Sequence, residues 1–96
     1  MEEIEILKKH ILQRLIRANI WGGKHTPLDF VSKSVPEDYR NTHKGKKALD
    51  DALKELVNYE WILLLSKRTG KGSEKHISLN PRKISEIKQF IEKITL

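Results

Sequence analysis

Apolar residues recur at three- and four-residue intervals in several stretches of the chain, which is the spacing of helices that bury one face. We predict a first helix over residues 2–19, a short second helix after Pro27, a third helix over 42–58 and a last helix over about 81–94. The third helix has the most regular pattern. Its apolar face consists of Ala48, Leu49, Ala52, Leu53, Leu56 and Val57. Its opposite face carries Lys44, Lys47, Asp51, Lys54 and Asn58.

The first helix carries two apolar stripes. One stripe consists of Ile4, Leu7, Ile11, Leu15 and Ala18. The other consists of Leu12, Ile16 and Ile20 and is offset by about 100° around the helix. One stripe is enough to pack against the core of a small domain. The second stripe either forms a subunit interface or is covered by the other helices of the same domain.

The segment between the first and third helices contains residues that interrupt helices. Gly22-Gly23 is predicted to end the first helix. The run Thr26-Pro27-Leu28-Asp29 predicts the start of the second helix, with a threonine cap, proline at the first helical position and an acid at the capping-box position. In addition, His25-Thr26 can form a short edge strand just before this helix. Pro36 predicts a turn over residues 36–41.

Two stretches after the third helix have the composition of strands. Residues 61–67 are rich in β-compatible side chains and too few for a helix. His76-Ile77-Ser78-Leu79 alternates polar and apolar residues. Because Thr69-Gly70-Lys71-Gly72-Ser73 between them has the composition of a turn, we predict a β-hairpin with a basic tip.

Length and composition exclude several classes of protein. The 96 residues suffice for one domain, which we place at 1–96 with its core at about 4–79. The chain has no cysteine, so disulfides and thiolate chemistry are excluded. Its longest apolar run, residues 61–65, is far shorter than the roughly 20 residues that cross a bilayer. The acidic start, Met-Glu-Glu-Ile-Glu, is unlike a signal peptide. We therefore expect a cytoplasmic protein without a membrane segment.

The charge distribution indicates a polyanionic partner. The chain has 19 basic and 13 acidic residues and a net charge of +6, and its pI of about 9.7 is in the range of nucleic-acid binders. The excess is concentrated in the second part, since residues 61–96 hold 8 basic and 3 acidic side chains. Two windows, 40–47 and 67–75, each contain four basic residues. The alternative is that they are chance clusters on a solvated face.

The predicted order is helix, helix, turn, helix, strand, basic loop, strand, helix. The most specific stretch is Lys47-Ala48-Leu49-Asp50-Asp51-Ala52-Leu53-Lys54-Glu55-Leu56-Val57-Asn58-Tyr59-Glu60-Trp61-Ile62. This order, over residues 26–79, resembles the winged helix-turn-helix superfamily of DNA-binding domains, in particular small archaeal and bacterial regulators with an extra C-terminal helix. The resemblance implies a mostly α fold with a small β-hairpin wing (α+β), in which a three-helical core is followed by a C-terminal helix. Many such domains have a glycine after the recognition helix, whereas this chain has Asn58-Tyr59-Glu60, where asparagine can adopt the left-handed conformation.

In this family the recognition helix enters the major groove and the wing contacts the backbone or the minor groove. The resemblance therefore assigns the helix over about 42–58 and the basic wing over 67–76 to double-stranded DNA, on one side of the domain. The expected phosphate contacts are Arg40, Lys46, Lys67, Arg68, Lys71 and Lys75. The expected base-edge contacts are Asn41, Thr42, His43, Lys44, Lys47 and Asp51.

Three features of the third helix affect this interpretation. Lysines at 44, 46 and 47 occupy a helix start, where the dipole disfavours them and a phosphate would favour them. Gly45 either lets a sugar-phosphate strand approach the backbone or makes the helix start fray. The Asp50-Asp51 pair would repel phosphates, unless Asp50 pairs with Lys54 and Asp51 with Lys47.

No pattern indicates catalysis, a cofactor or a metal site. The histidines at 10, 25, 43 and 76 fall in four different elements without metal-ligand spacing, and three of the four are expected on the surface. The glycine-containing loops at 22–26 and 70–73 do not match the P-loop pattern. We therefore predict that the protein is not an enzyme.

The leading hypothesis is a homodimeric DNA-binding regulator of transcription, sequence-specific or general, that dimerises through helices 2–19 and 81–94. A protein–protein adaptor is the alternative, since winged helices also serve that purpose and the acids at 50 and 51 suit it. RNA binding is a third possibility, although the 6% aromatic content offers no stacking platform for single strands.

Overall fold

Five α-helices and a three-stranded antiparallel sheet form the computed structural model of this chain, which describes residues 3–70 and 72–93. The helices are α1 (Glu3–Arg17), α2 (Leu28–Ser32), α3 (Asp38–Asn41), α4 (His43–Asn58) and α5 (Ile84–Lys93), the last preceded by a 3₁₀ turn over Pro81–Lys83. The strands are β1 (Thr26–Pro27), β2 (Ile62–Thr69) and β3 (Gly72–Leu79), in the order β1-β3-β2. The predicted α+β class is therefore confirmed at this level.

The core is one apolar cluster in which α1 is central. Leu7, Ile11, Leu12 and Leu15 are fully buried, and α4, the sheet and α5 supply the residues around them. In α4 the predicted apolar face is buried or half-buried. The second stripe of α1 is covered by the same chain, since Leu12 and Ile20 are buried and Ile16 is half-buried against the core. Of the two interpretations of that stripe, the structure thus favours intramolecular packing.

Helix α1 ends two residues before the predicted point. Residues 18 and 19 are not helical; Asn19 takes a left-handed conformation with φ 56°. The amide of Ile20 then donates to the carbonyl of Leu15 at 3.0 Å. Asparagine, and not the following Gly22-Gly23, therefore ends the helix.

The prediction for the start of the second helix was wrong. Thr26 and Pro27 form β1, which pairs with Ile77 and His76 of β3, so a short edge strand is present but lies one residue later than the expected His25-Thr26. Helix α2 begins only at Leu28, and no side chain of the described residues caps its first turn. The predicted turn over 36–41 contains a short helix, α3, because the chain resumes helical hydrogen bonding directly after Pro36.

The connection from α4 to β2 differs from the expectation in one residue. Asn58 is the last helical residue, and Glu60 instead takes the left-handed conformation with φ 61°. The amide of Trp61 donates to the carbonyl of Leu56 at 3.1 Å, which closes the helix end.

The hairpin strands are longer than predicted, and the turn is correspondingly shorter. Thr69 pairs with Gly72, so Arg68 and Lys75 lie on strands and not in a loop, while Lys67 lies on a strand as predicted. Lys71, at the tip, lies outside the described residues. After β3, Asn80 caps the 3₁₀ turn by accepting a hydrogen bond from the Arg82 amide. The predicted last residue of the C-terminal helix, Ile94, also lies outside the described residues.

Gly45 is the point at which α3 lies directly against the first turn of α4. It is buried, and a Cβ atom there would overlap the carbonyl oxygen of Asp38 and come within 2.7 Å of the Tyr39 Cα atom. Helix α3 is also tied to α1, since the Tyr39 hydroxyl donates to Glu3 at 2.8 Å and this bond raises the pKa of Tyr39. Neither sequence interpretation of Gly45 is supported: the glycine allows two helices of the chain itself to approach.

Lys8 is a buried cation between α1 and α4. It is 1% exposed, and its ammonium group donates to Glu5 at 2.9 Å and to Glu55 at 2.5 Å. Burial by itself would lower the pKa of Lys8, but the hydrogen bonds with Glu55 and Glu5 outweigh burial and raise it. The bond from Lys8 in turn lowers the pKa of Glu55.

We predict that Gly45→Ala destabilises the fold by about 2 kcal/mol, because the added methyl group overlaps backbone that has no room to move. This sign is opposite to the gain of roughly 1 kcal/mol that helix propensity alone gives for alanine. Urea unfolding measures the difference. Gly23→Ala is the control, since nothing lies within 4 Å of a Cβ atom there. A Gly45→Ala variant as stable as wild type would contradict the close approach.

We predict that Glu55→Gln lowers the free energy of unfolding at pH 7 by about 1 kcal/mol. This value is small for an ion pair with buried Lys8, because the Glu55 side chain is 42% exposed. Because the folded-state pKa of Glu55 is lowered, its contribution is present above the pKa of the unfolded chain and lost as the pH falls through the folded-state value. Urea unfolding at pH 7 and pH 3 should therefore show the effect only at pH 7. Equal losses at both pH values would show that the carboxylate charge is not involved.

Candidate nucleic-acid interface

The start of α4 is organised by Thr42. Its hydroxyl accepts from the Gly45 amide at 2.9 Å and donates to the carbonyl of Asp38 at 2.8 Å. Thr42 is thus the N-cap of α4 and its proton is engaged within the chain. Its role in the structure is to fix where the helix begins, and only a remaining lone pair of the hydroxyl faces other partners.

An exposed basic cluster surrounds this cap. The first turn of α4 contains His43, Lys44 and Lys46, and Lys47 follows at once. These four side chains are exposed, and so are Arg40 and Asn41 at the end of α3. The free N–H groups and the dipole of the 16-residue helix α4 add positive potential at the same end. We refer to Arg40, Asn41, His43, Lys44, Lys46 and Lys47 as the helix-start cluster.

The members of this cluster lie at different positions around α4. Lys44 and Asp51 are seven residues apart and lie on the side of Glu55, which contacts Lys8 of α1. His43 and Lys47 lie farther from α1, near the centre of the exposed face. Among the residues of α4 predicted to contact base edges, these last two are therefore the most central.

The two aspartates of α4 are paired within the helix. Lys47 Nζ lies 3.4 Å from Asp51 Oδ2, and Lys54 Nζ lies 2.9 Å from Asp50 Oδ2. The hydrogen bond to Asp50 raises the pKa of Lys54. These are the two pairs that the sequence suggested. Because they neutralise the middle of α4, the positive excess of the helix is concentrated at its start.

The hairpin separates its basic residues between its two faces. Arg68 on β2 and Lys75 on β3 share a face with Leu64 and Ile77, because their cross-strand partners alternate along the register. Lys67 lies on the other face, directly opposite Glu74. All three cations are exposed, but only Arg68 and Lys75 lie on the face turned toward α4.

One groove connects the two basic windows. It runs between α2, α3, α4 and the hairpin as two adjoining sections of about 480 and 330 Å³ that share Leu28, Asp50 and Leu53. Arg40 and Lys46 line the first section and Lys75 lines the second. We call this feature the α4–hairpin groove. The windows over 40–47 and 67–75, which are far apart in the sequence, thus border the same surface depression.

A histidine pair, which the sequence analysis did not predict, lies at the base of the hairpin. His25 Nδ1 and His76 Nδ1 are 2.8 Å apart, so one ring donates to the other. His76 is 7% exposed; among the described residues its Nε2 atom has no hydrogen-bond partner, with Glu74 Oε2 at 3.7 Å. Of the other histidines, His43 is exposed and His10 and His25 are half-buried, so only His76 is taken out of solvent. The contact between these two histidines could not be predicted from the sequence, because it depends on the pairing of β1 with β3.

The part of the chain that the structure describes contains neither a candidate metal site nor a helix suited to a membrane. Within it, no group of three or more histidine, aspartate or glutamate side chains could hold a metal ion. In the same residues, no helix has the length and apolar character needed to cross a membrane.

Comparison of the chain with models of protein families, with curated proteins and with solved structures finds no match in any of the three.

Proposed function

We propose that the protein is a winged helix-turn-helix protein that binds double-stranded DNA and regulates transcription. The observation that carries the proposal is the α4–hairpin groove, which brings the basic start of α4 and the basic face of the hairpin to one surface. The order of elements, α1-β1-α2-α3-α4-β2-β3-α5 with the strands arranged β1-β3-β2, is compatible with the superfamily named above. The proposal assigns no catalytic reaction and no cofactor, and it retains the cytoplasmic location expected from the sequence.

In this proposal, α4 lies in the major groove and the cations around it contact phosphates. Arg40 and Lys46 flank the N-terminus of α4, where a phosphate would also meet the helix dipole. Arg68 and Lys75 would contact the backbone from the hairpin, and Lys71 at its tip would extend that contact. Lys67 would contribute mainly through its charge, because it lies on the opposite face of the hairpin.

Base reading is assigned chiefly to three side chains of the helix-start cluster. His43 and Lys47 lie near the centre of the exposed face of α4, and Asn41 precedes the cap. Lysine can donate to guanine, and asparagine can pair with adenine through two hydrogen bonds. Lys44 and Asp51 lie toward α1 and would reach only the border of the contact. Thr42 supports the site mainly as the cap.

We further propose a homodimer through α1 and α5. A depression of about 260 Å³ lies between these helices and is lined by Ile16, Ile91 and four polar residues. Ile84, one turn before buried Ile87 on the same helix, is 42% exposed. A second copy on this surface would cover these apolar side chains and present two α4 helices to half-sites about 34 Å apart.

We predict that binding to random duplex DNA weakens steeply with salt. The five proposed phosphate contacts correspond to a slope of log K against log salt of about −4.5 per protomer, which fluorescence anisotropy between 50 and 200 mM salt measures. The double variant Lys46→Ala/Lys47→Ala should bind at least about tenfold more weakly at 100 mM salt, with a slope smaller by about 1, because Lys46 contacts a phosphate and Lys47 a base edge in this proposal.

The matched control is Arg82→Ala/Lys83→Ala, which removes the same charge from the 3₁₀ turn, outside the groove. Circular dichroism verifies that both variants fold. Equal losses in the two variants, or a slope near zero, would overturn the proposal. Tighter binding to duplex RNA than to DNA would favour the RNA alternative.

We predict a concentration-dependent dimer in sedimentation velocity and a monomer for Ile84→Lys. The charge would be buried in the interface of a dimer but is tolerated at a residue that is 42% exposed in the monomer. Ser85→Lys, at an exposed neighbouring position of α5, is the control. A wild-type chain that remains monomeric at high micromolar concentration would rule out the arrangement with two half-sites.

A further inference from the structure

The floor of the α4–hairpin groove is apolar, which contacts with DNA phosphates do not explain. Leu28, Leu53 and Val57 are half-buried there, and Leu64 on β2 is 46% exposed. Phosphates and base edges are recognised by charged and polar groups. A continuous apolar strip on a protein surface indicates instead a contact with apolar side chains of a partner.

The rim of the groove defines the charge of that partner. Lys33 pairs with Asp29 at 3.0 Å, and Lys54 pairs with Asp50. Within residues 3–70 and 72–93, the other three cations of the rim have no ion pair. These are Arg40, Lys46 and Lys75. The rim therefore has an excess of three positive charges around an apolar floor.

We propose that the α4–hairpin groove binds an acidic, amphipathic segment of a protein partner. Leucine-like side chains of the segment would fill the apolar floor, and its carboxylates would pair with Arg40, Lys46 and Lys75. A helix that presents apolar residues at three- and four-residue spacing has this combination of properties. A second copy of this chain does not, because its net charge is +6 and its apolar helical faces are largely buried in its own core.

The regulatory consequence rests on the proposed function. The three cations of the rim, Arg40 on α3, Lys46 on α4 and Lys75 on β3, are also proposed phosphate contacts. A bound acidic segment and bound DNA would therefore exclude each other. The partner would release the protein from DNA by occupying the same cations, and no change of conformation is required.

The direct test uses a fluorescein-labelled 18-residue peptide with leucine at every third or fourth position and glutamate elsewhere. The control peptide has serine in place of each leucine, so both carry the same charge. Anisotropy at 150 mM salt should show binding of the leucine peptide at least about tenfold tighter than the serine peptide, since two or three buried leucines contribute that much or more. Equal affinities would show that only charge is recognised and would overturn the proposal.

Two variants separate the groove from the DNA contacts. Leu64→Ser changes an exposed side chain that makes no proposed DNA contact, so it should weaken the leucine peptide by about fivefold and leave DNA binding unchanged. Lys47→Ala is outside the lining of the groove and should weaken DNA while leaving the peptide unchanged. If Leu64→Ser has no effect on the peptide, the apolar floor is not used and the proposal is wrong.

A further experiment measures competition between the leucine peptide and DNA. The leucine peptide should displace labelled DNA from the wild-type chain with a midpoint that matches its own dissociation constant, and binding of both at once would exclude the regulatory mechanism. The peptide titration contains no DNA. A chain that binds the peptide and not DNA would thus disprove the proposed function alone, and the reverse result would disprove the peptide site alone.

Discussion

The close approach of α3 to α4 at Gly45 determines the geometry of the whole basic surface. Because only a hydrogen atom separates the α4 backbone from the carbonyl of Asp38, the two helices meet at a fixed point. Thr42 closes the same junction from the other side with hydrogen bonds to both helices. Arg40 and Lys46 therefore belong to two elements whose backbones touch, and their separation does not depend on a flexible loop. The junction is in turn held to α1 by the hydrogen bond from Tyr39.

Charge is distributed unevenly along α4, and the unevenness reinforces the helix dipole. The pairs Lys47–Asp51 and Lys54–Asp50 neutralise the middle of the helix, and Glu55 pairs with buried Lys8. The first turn has no such compensation within the helix. Its cations are unfavourable for the isolated helix by a few tenths of a kcal/mol each. An exposed helix start that holds cations against the helix dipole is suited to binding anions. Departures from local stability rules of this kind are typical of functional sites. The structure thus gives a physical reason for a pattern that helix stability alone does not explain.

The sequence predicted those parts of the fold that depend on periodicity and failed where the outcome depends on distant residues. The apolar face of α4 followed from spacing, the hairpin from strand and turn composition, and the α+β class from the order of the elements and the resemblance it carries. The start of α2 did not, because Pro27 pairs with β3, which is about 50 residues away. The end of α1 was assigned to glycines, whereas Asn19 adopts the left-handed conformation. Lys8 could not be recognised as buried, since its partner Glu55 is on another helix. For the candidate site, the two basic windows are visible in the sequence, but the groove that both of them border depends on the strand register.

Under the two proposals, the register of the hairpin also explains why one surface would serve two kinds of ligand. Side chains alternate between the faces of a strand, so Arg68 and Lys75 are necessarily displayed together with Leu64 and Ile77. A DNA backbone uses the cations of such a face and leaves its leucine in water. An acidic amphipathic segment uses the cations and covers the leucine as well. The apolar floor would therefore determine how much more tightly the segment binds than DNA. Its carboxylates would be attracted by the same charges that attract phosphates. Under the proposed function, competition at one face is sufficient for regulation, and neither an effector pocket nor a second conformation is needed.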